Sequence, residues 1–237
     1  MRRTVFIGDV HGCAAELRDL LSKVGLTSDD RVVFVGDLVA RGPDSRGVLA
    51  LARELAALAV RGNHEERLLA ARKATLRGEP PPKIGKSHAA LARELDEAEW
   101  RQLEALPLNL DFPEHSVRVV HAGVVPRLSW EEQDPWMVTH MRSLLDDGSP
   151  SDRWGTPWGA TYQGPLHVVF GHNAQRAPQI HAYATGIDTA CVYGGALTAL
   201  VLSEGQAAPP VEARRDALVS VPARAAYHDY GRELPGG

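Results

Sequence analysis

Three times near its start the chain runs through a short apolar stretch, stops at glycine and hands over a residue with metal-ligand chemistry. Thr4-Val5-Phe6-Ile7 leads into Gly8-Asp9-Val10-His11-Gly12, Val32-Val33-Phe34-Val35 into Gly36-Asp37, and the run from Ala56 to Val60 into Arg61-Gly62-Asn63-His64-Glu65. The runs have the length and β-branched content of buried strands, and helical patterns separate them. Strand, turn and helix in that rhythm specify an α/β fold, which assembles its sites at the C-terminal ends of its strands. Two later runs repeat the device: Val117-Arg118-Val119-Val120 ends at His121 and Val168-Val169-Phe170-Gly171 at His172.

A single Gly-Asp after a strand is ordinary turn chemistry. Five strand ends carrying Asp, Asn or His are a pattern. Asp9, His11, Asp37, Asn63 and His64 offer oxygen and imidazole donors without a thiolate, a set that suits Mn²⁺, Fe or Zn²⁺ better than a structural sulfur cage. It is the donor set of a metal-dependent hydrolase.

The intervening segments read as helices. Leu17, Leu20, Leu21 and Val24 recur at helical spacing from Ala14 to Val24, where Gly25 stops them. Asp44 to Leu55 and Glu65 to Arg77 repeat the plan, and the prolines of Gly78-Glu79-Pro80-Pro81-Pro82-Lys83 exclude a helix interior. Ser87 to Leu106 reads as one further helix. Short strands follow at Leu108 to Phe112, Val117 to Val120, Leu166 to Phe170, Ile180 to Tyr183 and Leu197 to Leu202. The stretch from Pro126 to Pro165 is loop-rich and holds Trp130, Trp136, Trp154 and Trp158, whose flat faces suit either a nucleobase or the packing of irregular chain. After Ser203 the sequence turns polar, rich in Ala, Pro and Arg, and is expected to wrap or fray as an extension over 203–237.

At 237 residues and 44% hydrophobic, the chain suffices for one α/β domain spanning 1–237. A net charge of -4 gives no general polyanion-binding character, so nucleic acid is not an expected partner and phosphate attraction has to be local. The apolar run after Met1-Arg2-Arg3 is too short for a signal peptide and Asp9 interrupts it. No stretch approaches a membrane span. Cys13 and Cys191 read as free thiols of a cytoplasmic protein.

Gly8-Asp9-Val10-His11-Gly12, Gly36-Asp37-Leu38-Val39-Ala40-Arg41-Gly42, Arg61-Gly62-Asn63-His64-Glu65, His121-Ala122-Gly123 and Gly171-His172 stand in an order that resembles the calcineurin-like metallophosphoesterases of phosphoprotein-phosphatase type. The resemblance covers Gly8 to about Leu202. Through Gly36 to Pro43, and through Gly186 to Gly195 with Leu197-Thr198-Ala199-Leu200, it is strongest toward bacterial symmetrical diadenosine tetraphosphate hydrolases.

That family implies a two-sheet β-sandwich flanked by helices and two divalent ions, with Mn the leading expectation and Fe or Zn alternatives. The resemblance places Asp9 and His11 on one metal, Asp37 as a bridging carboxylate, and Asn63, His121 and His172 on the second. A carboxylate between two cations ~4 Å apart offsets their repulsion, and such a pair activates water for in-line attack on phosphorus. Arg41, Arg61 and Arg142 are the expected phosphate-binding forks, Arg142 by order and spacing alone. His64 is the expected general acid, and Tyr193 resembles a tyrosine near the phosphate.

One departure carries information. Many protein phosphatases of this type have an aspartate at the position of Ala40 that pairs with the acid histidine. Without it His64 is less firmly oriented, which matters for an alkoxide and little for a nucleoside diphosphate leaving group. The expected substrate is therefore a phosphoanhydride, diadenosine tetraphosphate cut symmetrically into two ADP. Phosphoproteins and inorganic polyphosphate are the alternatives.

Overall fold

The structure is a computed structural model in which residues 2–230 are described. The first half alternates β1 (Arg3–Ile7), α1 (Ala14–Val24), β2 (Arg31–Phe34), α2 (Ser45–Glu54), β3 (Leu58–Ala59) and α3 (Asn63–Leu76). Two helices, α4 (Lys86–Glu94) and α5 (Glu97–Glu104), then lead to β4 (Asn109–Phe112) and β5 (Val117–Val120). Beyond them come α6 (Pro135–His140), β6 (Ser143–Leu144), β7 (Pro150–Ser151), β8 (His167–Phe170), β9 (Gln179–Ile180), β10 (Ala184–Gly186), β11 (Ala196–Ser203) and β12 (Leu218–Pro222).

Two five-stranded sheets result, ordered β12-β11-β1-β2-β3 and β4-β5-β8-β10-β9. Within them β1, β2 and β3 run parallel, as do β5, β8 and β10. Each sheet therefore points three strand C-termini the same way. Phe6, Val33, Val35, Phe112, Val117, Val119, Val169 and Leu200 fill the space between the sheets. The outer face of the first sheet is buried by Leu17, Leu20, Leu49, Trp100 and Leu103 of α1, α2 and α5. On the second sheet Val138, Met141 and Trp158, from the loop-rich stretch, cover Val120, Val168 and Phe170. This is the expected α/β sandwich of two sheets with flanking helices.

The local signals explain most boundaries. Gly25 closes α1 at φ 60°, and Asp44 caps α2 by accepting the Gly47 N–H at 2.7 Å. The helix expected over 87–106 is two, because Asp96 and Glu99 form a capping box that starts α5 afresh. The expected strand at 56–60 shortens to Leu58–Ala59. Of the strand expected over Ile180 to Tyr183 only Ile180 lies in one, at the end of β9: the His181 N–H donates to the Ala184 carbonyl at 2.9 Å and turns the chain between β9 and β10. Past Ser203 the chain wraps, since β12 pairs with β11 and residues 223–230 return over the first sheet's helix side. The remainder of the expected extension, 231–237, lies outside the described residues.

Candidate active site

The strand C-termini of both sheets meet at one seam. Asp9 and His11 follow β1, Asp37 follows β2, and Asn63 opens α3 after β3; His121 follows β5 and His172 follows β8. All six are buried. The loops that carry them are laced by backbone bonds, with the His11 N–H on the Asp37 carbonyl and the Gly12 N–H on the Leu38 carbonyl, both at 2.8 Å. His11, Asp37 and His172 have φ of 48°, 48° and 64°, in the left-handed region that side chains other than glycine rarely adopt. Strain of this kind persists where surrounding contacts over-determine the backbone, as they do at functional sites.

The motif glycines give room to the ligands. A Cβ at Gly62 would strike the Asp37 carboxylate, and one at Gly171 the carboxylate of Asp9. Glu65, fully buried, gathers the N–H groups of Gly62 and Asp37 at 2.9 Å, Leu38 at 2.8 Å and Val39 at 3.2 Å. It thereby ties the Asp37 loop to the first turn of α3. The motif contains Glu65, yet only its capping position, three residues into the helix, signals this role.

The histidine tautomers follow from their backbone partners. His121 donates Nδ1–H to the Val35 carbonyl at 2.9 Å, and His172 donates Nε2–H to the His140 carbonyl at 3.0 Å. His11 donates Nδ1–H to the Val39 carbonyl at 3.2 Å. The nitrogens left with lone pairs face other acceptors: His121 Nε2 and His172 Nδ1 lie 3.1 and 3.0 Å from Asn63 Oδ1. Asp37 Oδ2 stands 3.5 Å from His11 Nε2 and 3.4 Å from His121 Nε2. Lone pairs converging without protons between them repel unless a cation sits among them. Asp37, His121 and His172 form one cluster of ligand atoms within 4.8 Å of one another, and Asp37, His11 and His64 a second, so Asp37 belongs to both. Asp9 joins the sheets by accepting the His172 N–H on Oδ2 at 3.0 Å, while its buried Oδ1 has no partner.

Electrostatics agree with cation binding. Burial, with the Asp188 and Asp37 charges, pushes the Asp9 carboxyl well above the usual carboxylate range. Burial also raises Asp188 to about 6 and Glu65 to about 7, with Asp37 adding to both. So many buried carboxyl groups around one point is an acidic crowd that only positive charge relieves. Burial and the Arg41 charge lower His11 to about 3 against the pull of Asp37, leaving the neutral imidazole a metal requires. Asp188, following β10, is a site residue that sequence reasoning missed; its place after a strand was the available signal.

Two of the three expected arginines reach this seam. Arg41, in left-handed backbone at φ 70°, donates Nη1–H to His11 Nε2 at 3.2 Å and lies over the Tyr193 ring, 5.4 Å from its centre. Arg142 donates to the His172 carbonyl at 3.2 Å and to Asn173 Oδ1 at 3.3 Å, with Trp154 at 5.5 Å on its face. Arg61 does not join them. Two residues past β3 its N–H donates to the Pro107 carbonyl at 2.7 Å and its side chain lies toward α5, where it donates to the Glu104 carbonyl at 3.0 Å and lines a hollow with Arg72, Lys73 and Arg77.

His64 is buried with its ring edge on His11 at 4.7 Å, and its Nδ1 has no hydrogen-bond partner, as the alanine at position 40 led one to expect. On its other side lies His88, stacked at 4.7 Å, buried, with both ring nitrogens unpartnered. Burial and the Arg67 and Arg41 charges lower His88 to about 4. No motif marks His88 in the sequence. Of the four tryptophans, Trp136 stacks on His140 and Trp154 on Arg142 beside the site, whereas Trp158 is core and donates to the Ala122 carbonyl at 3.1 Å. Trp130 packs under Arg118.

Paired clusters of hard donors sharing one carboxylate, at the seam of an α/β sandwich and flanked by guanidinium forks, define a metal-dependent phosphoester hydrolase. The chain belongs to the calcineurin-like phosphoesterase family, whose model matches residues 2–197. An asymmetrical bis(5'-nucleosyl)-tetraphosphatase from Halalkalibacterium halodurans is 35% identical over 222 residues, which is 84% of this chain and 89% of the relative. A symmetrical bis(5'-nucleosyl)-tetraphosphatase from Shewanella oneidensis is 42% identical over 144 residues, 59% of this chain and 49% of the relative. A crystal structure with the provisional description diadenosine tetraphosphatase superposes with a TM-score of 0.79 at 35% identity and covers 93% of both chains.

Proposed function

We propose that the chain hydrolyses the phosphoanhydride bridge of a dinucleoside tetraphosphate, with diadenosine tetraphosphate its substrate. The observation that carries the metal-dependent core of this reading is the convergence of unprotonated donors on Asn63 Oδ1 and Asp37 Oδ2. Asp9, His11 and Asp37 would hold one divalent ion and Asp37, Asn63, His121 and His172 the other, with Mn²⁺ matching the oxygen-rich, thiolate-free set. When bound, the ions supply an activated water and neutralise phosphoryl charge. Arg41 and Arg142 approach from opposite halves of the seam and supply paired donors to the phosphoryl oxygens. His64 stands beside His11, where it can hand a proton to the leaving oxygen. Its unpartnered Nδ1 leaves it without the carboxylate that a strong acid needs, which supports a weakly basic leaving group over a serine alkoxide.

The names of the relatives support the dinucleotide substrate and divide on the cut. The symmetrical cut expected from the sequence rests on relatives matched over about half their length, whereas the relative matched over 89% of its length is named for the asymmetrical one. The second reading is therefore cleavage into ATP and AMP. We read the chain as one cytoplasmic catalytic domain; among the described residues no helix is long and apolar enough to cross a membrane.

One assay tests the proposal: turnover of diadenosine tetraphosphate, a phosphoserine peptide and polyphosphate side by side with defined metals, products resolved by chromatography. Preference for the dinucleotide is the expected result. A faster rate on the peptide would overturn it, and two ADP against ATP plus AMP decides the cut.

A further inference from the structure

The C-terminal segment is tied to the site by contacts that the hydrolytic residues alone do not explain. The N–H groups of Tyr227 and His228 donate to the Val192 carbonyl at 2.9 and 3.0 Å, and Ala226 bridges Tyr193. Two rings of this segment then cover the Tyr193 ring: Tyr230 edge-on at 4.7 Å and His228 at 6.1 Å. The far end is anchored to α1, where Glu16, fully buried, accepts the Tyr227 hydroxyl at 2.8 Å and the Arg224 N–H at 2.9 Å. The Arg224 guanidinium pairs with Asp19 at 2.8 Å. On its other side Tyr193, itself buried, carries the Arg41 guanidinium 5.4 Å from its centre.

We propose that residues 224–230 are part of the active site as a positioning device: Tyr230 and His228 fix the Tyr193 ring, and the ring fixes the Arg41 fork. The inference rests on the reading of Arg41 as a phosphate ligand. A guanidinium at a phosphate needs its plane set, because the two-pronged hydrogen bond is lost when the fork rotates. Among the described residues Arg41 makes one hydrogen bond, to His11, and a metal held by His11 would take that nitrogen away. What then remains to orient the fork is the face of Tyr193. A cation over an aromatic face is held most firmly where the ring is itself packed and shielded from water; Tyr193 is buried, and the Tyr230 and His228 rings pack on it. His228 lies close enough to Arg41 that burial, together with that charge, lowers its imidazole below the ordinary value.

A double-mutant cycle tests this on the full-length protein. Tyr230→Ala is combined with Arg41→Ala and, separately, with Arg142→Ala. Two quantities are read: kcat/KM on p-nitrophenyl phosphate, and the affinity for orthophosphate by calorimetry. Tyr230→Ala in the wild-type background should cost about five- to tenfold in both, with metal content and Tm held. In the Arg41→Ala background the same change should cost nothing further, and in the Arg142→Ala background it should keep its full effect. Tyr230→Phe, which retains the ring, should restore wild-type values. Equal losses in all three backgrounds, or no loss in the wild type, would overturn the proposal. Should Tyr230→Ala fail to fold, His228→Ala reads the same cycle. The orthophosphate readout separates this outcome from failure of the substrate reading, since it registers Arg41 alignment whichever phosphate compound the enzyme turns over.

Discussion

The two sheets contribute to one site by different means. Asp9, His11, Asp37 and Asn63 arrive from the first sheet on short turns between regular elements, and Glu65 ties the Asp37 loop to the turn that carries Asn63. His121 and His172 arrive from the second sheet, and between His121 and β8 the chain runs through largely irregular structure with the short α6 and the paired β6 and β7. In the first half backbone geometry sets ligand positions. In the second, hydrogen bonds across the fold do: the Val35 and His140 backbone carbonyls orient the two imidazoles, and the Trp158 and Arg142 side chains brace the segment around them. One coordination geometry does not require one kind of scaffold.

Asp37 is where the halves join, so its loss should have the largest effect. Asp37→Asn should lower kcat by about a thousandfold or more, roughly 4 kcal/mol of barrier, with a far smaller change in Tm. Metal analysis should find both ions depleted, whereas His11→Asn and His172→Asn should each lose one. Chelation should abolish wild-type turnover and Mn²⁺ should restore it; full activity in a rigorously metal-free preparation would refute the two-metal site.

The arginines sharpen the comparison. Arg41→Lys keeps the charge and loses the fork, so catalytic efficiency should fall about thirtyfold, roughly 2 kcal/mol. Arg61→Lys, although it lies in the more recognisable motif, should change efficiency by less than about threefold, because its guanidinium is committed to the Glu104 carbonyl. Equal losses at both positions would mean that Arg61 swings into the site on substrate binding.

A smaller effect is expected at Ala40. Ala40→Asp offers His64 Nδ1 the acceptor it lacks, and should raise the rate on phosphoserine peptides about fivefold relative to diadenosine tetraphosphate. Activated aryl phosphates should respond little. If the ratio does not move, the leaving-group argument fails.

The smallest effect belongs to the opposite strand ends. The Arg3 guanidinium, aided by the Thr27 N–H, holds the Asp30 carboxyl well below the usual carboxylate range. A depressed carboxyl contributes stability above its unfolded pKa of about 4, and that contribution is lost as pH falls toward the folded value. The Tm gap between wild type and Asp30→Asn should therefore be widest near neutrality and shrink below about pH 4. Turnover at neutral pH should not follow it.

These contrasts also explain what the sequence reveals. The donors that meet at the seam are legible because glycine, apolar run and donor recur together, and each component has its own physical reason. The break at Asp96 is legible too, in the Asp96 to Glu99 capping box, but the leucines on either side mask it. Arg61 lies in a legible motif, yet its side chain is placed at the Glu104 carbonyl and not among the donors, because a motif records a residue and not the direction its side chain takes. His88 and the ring pair Tyr193 and Tyr230 are not legible, since they meet across long sequence separations and obey no local spacing. Tyr183, in an alternating run that suits a half-buried strand, lies instead at a turn and is exposed.

The left-handed backbone at His11, Asp37 and His172 has a consequence for any saturation mutagenesis of this gene. At ordinary buried positions alanine is the mild replacement. Here glycine and asparagine should give the best-folded variants, because they, with aspartate, relax into that conformation at little cost. Cellular abundance and activity should consequently separate at these codons: Gly and Asn variants accumulate as intact, inert protein, while β-branched variants disappear.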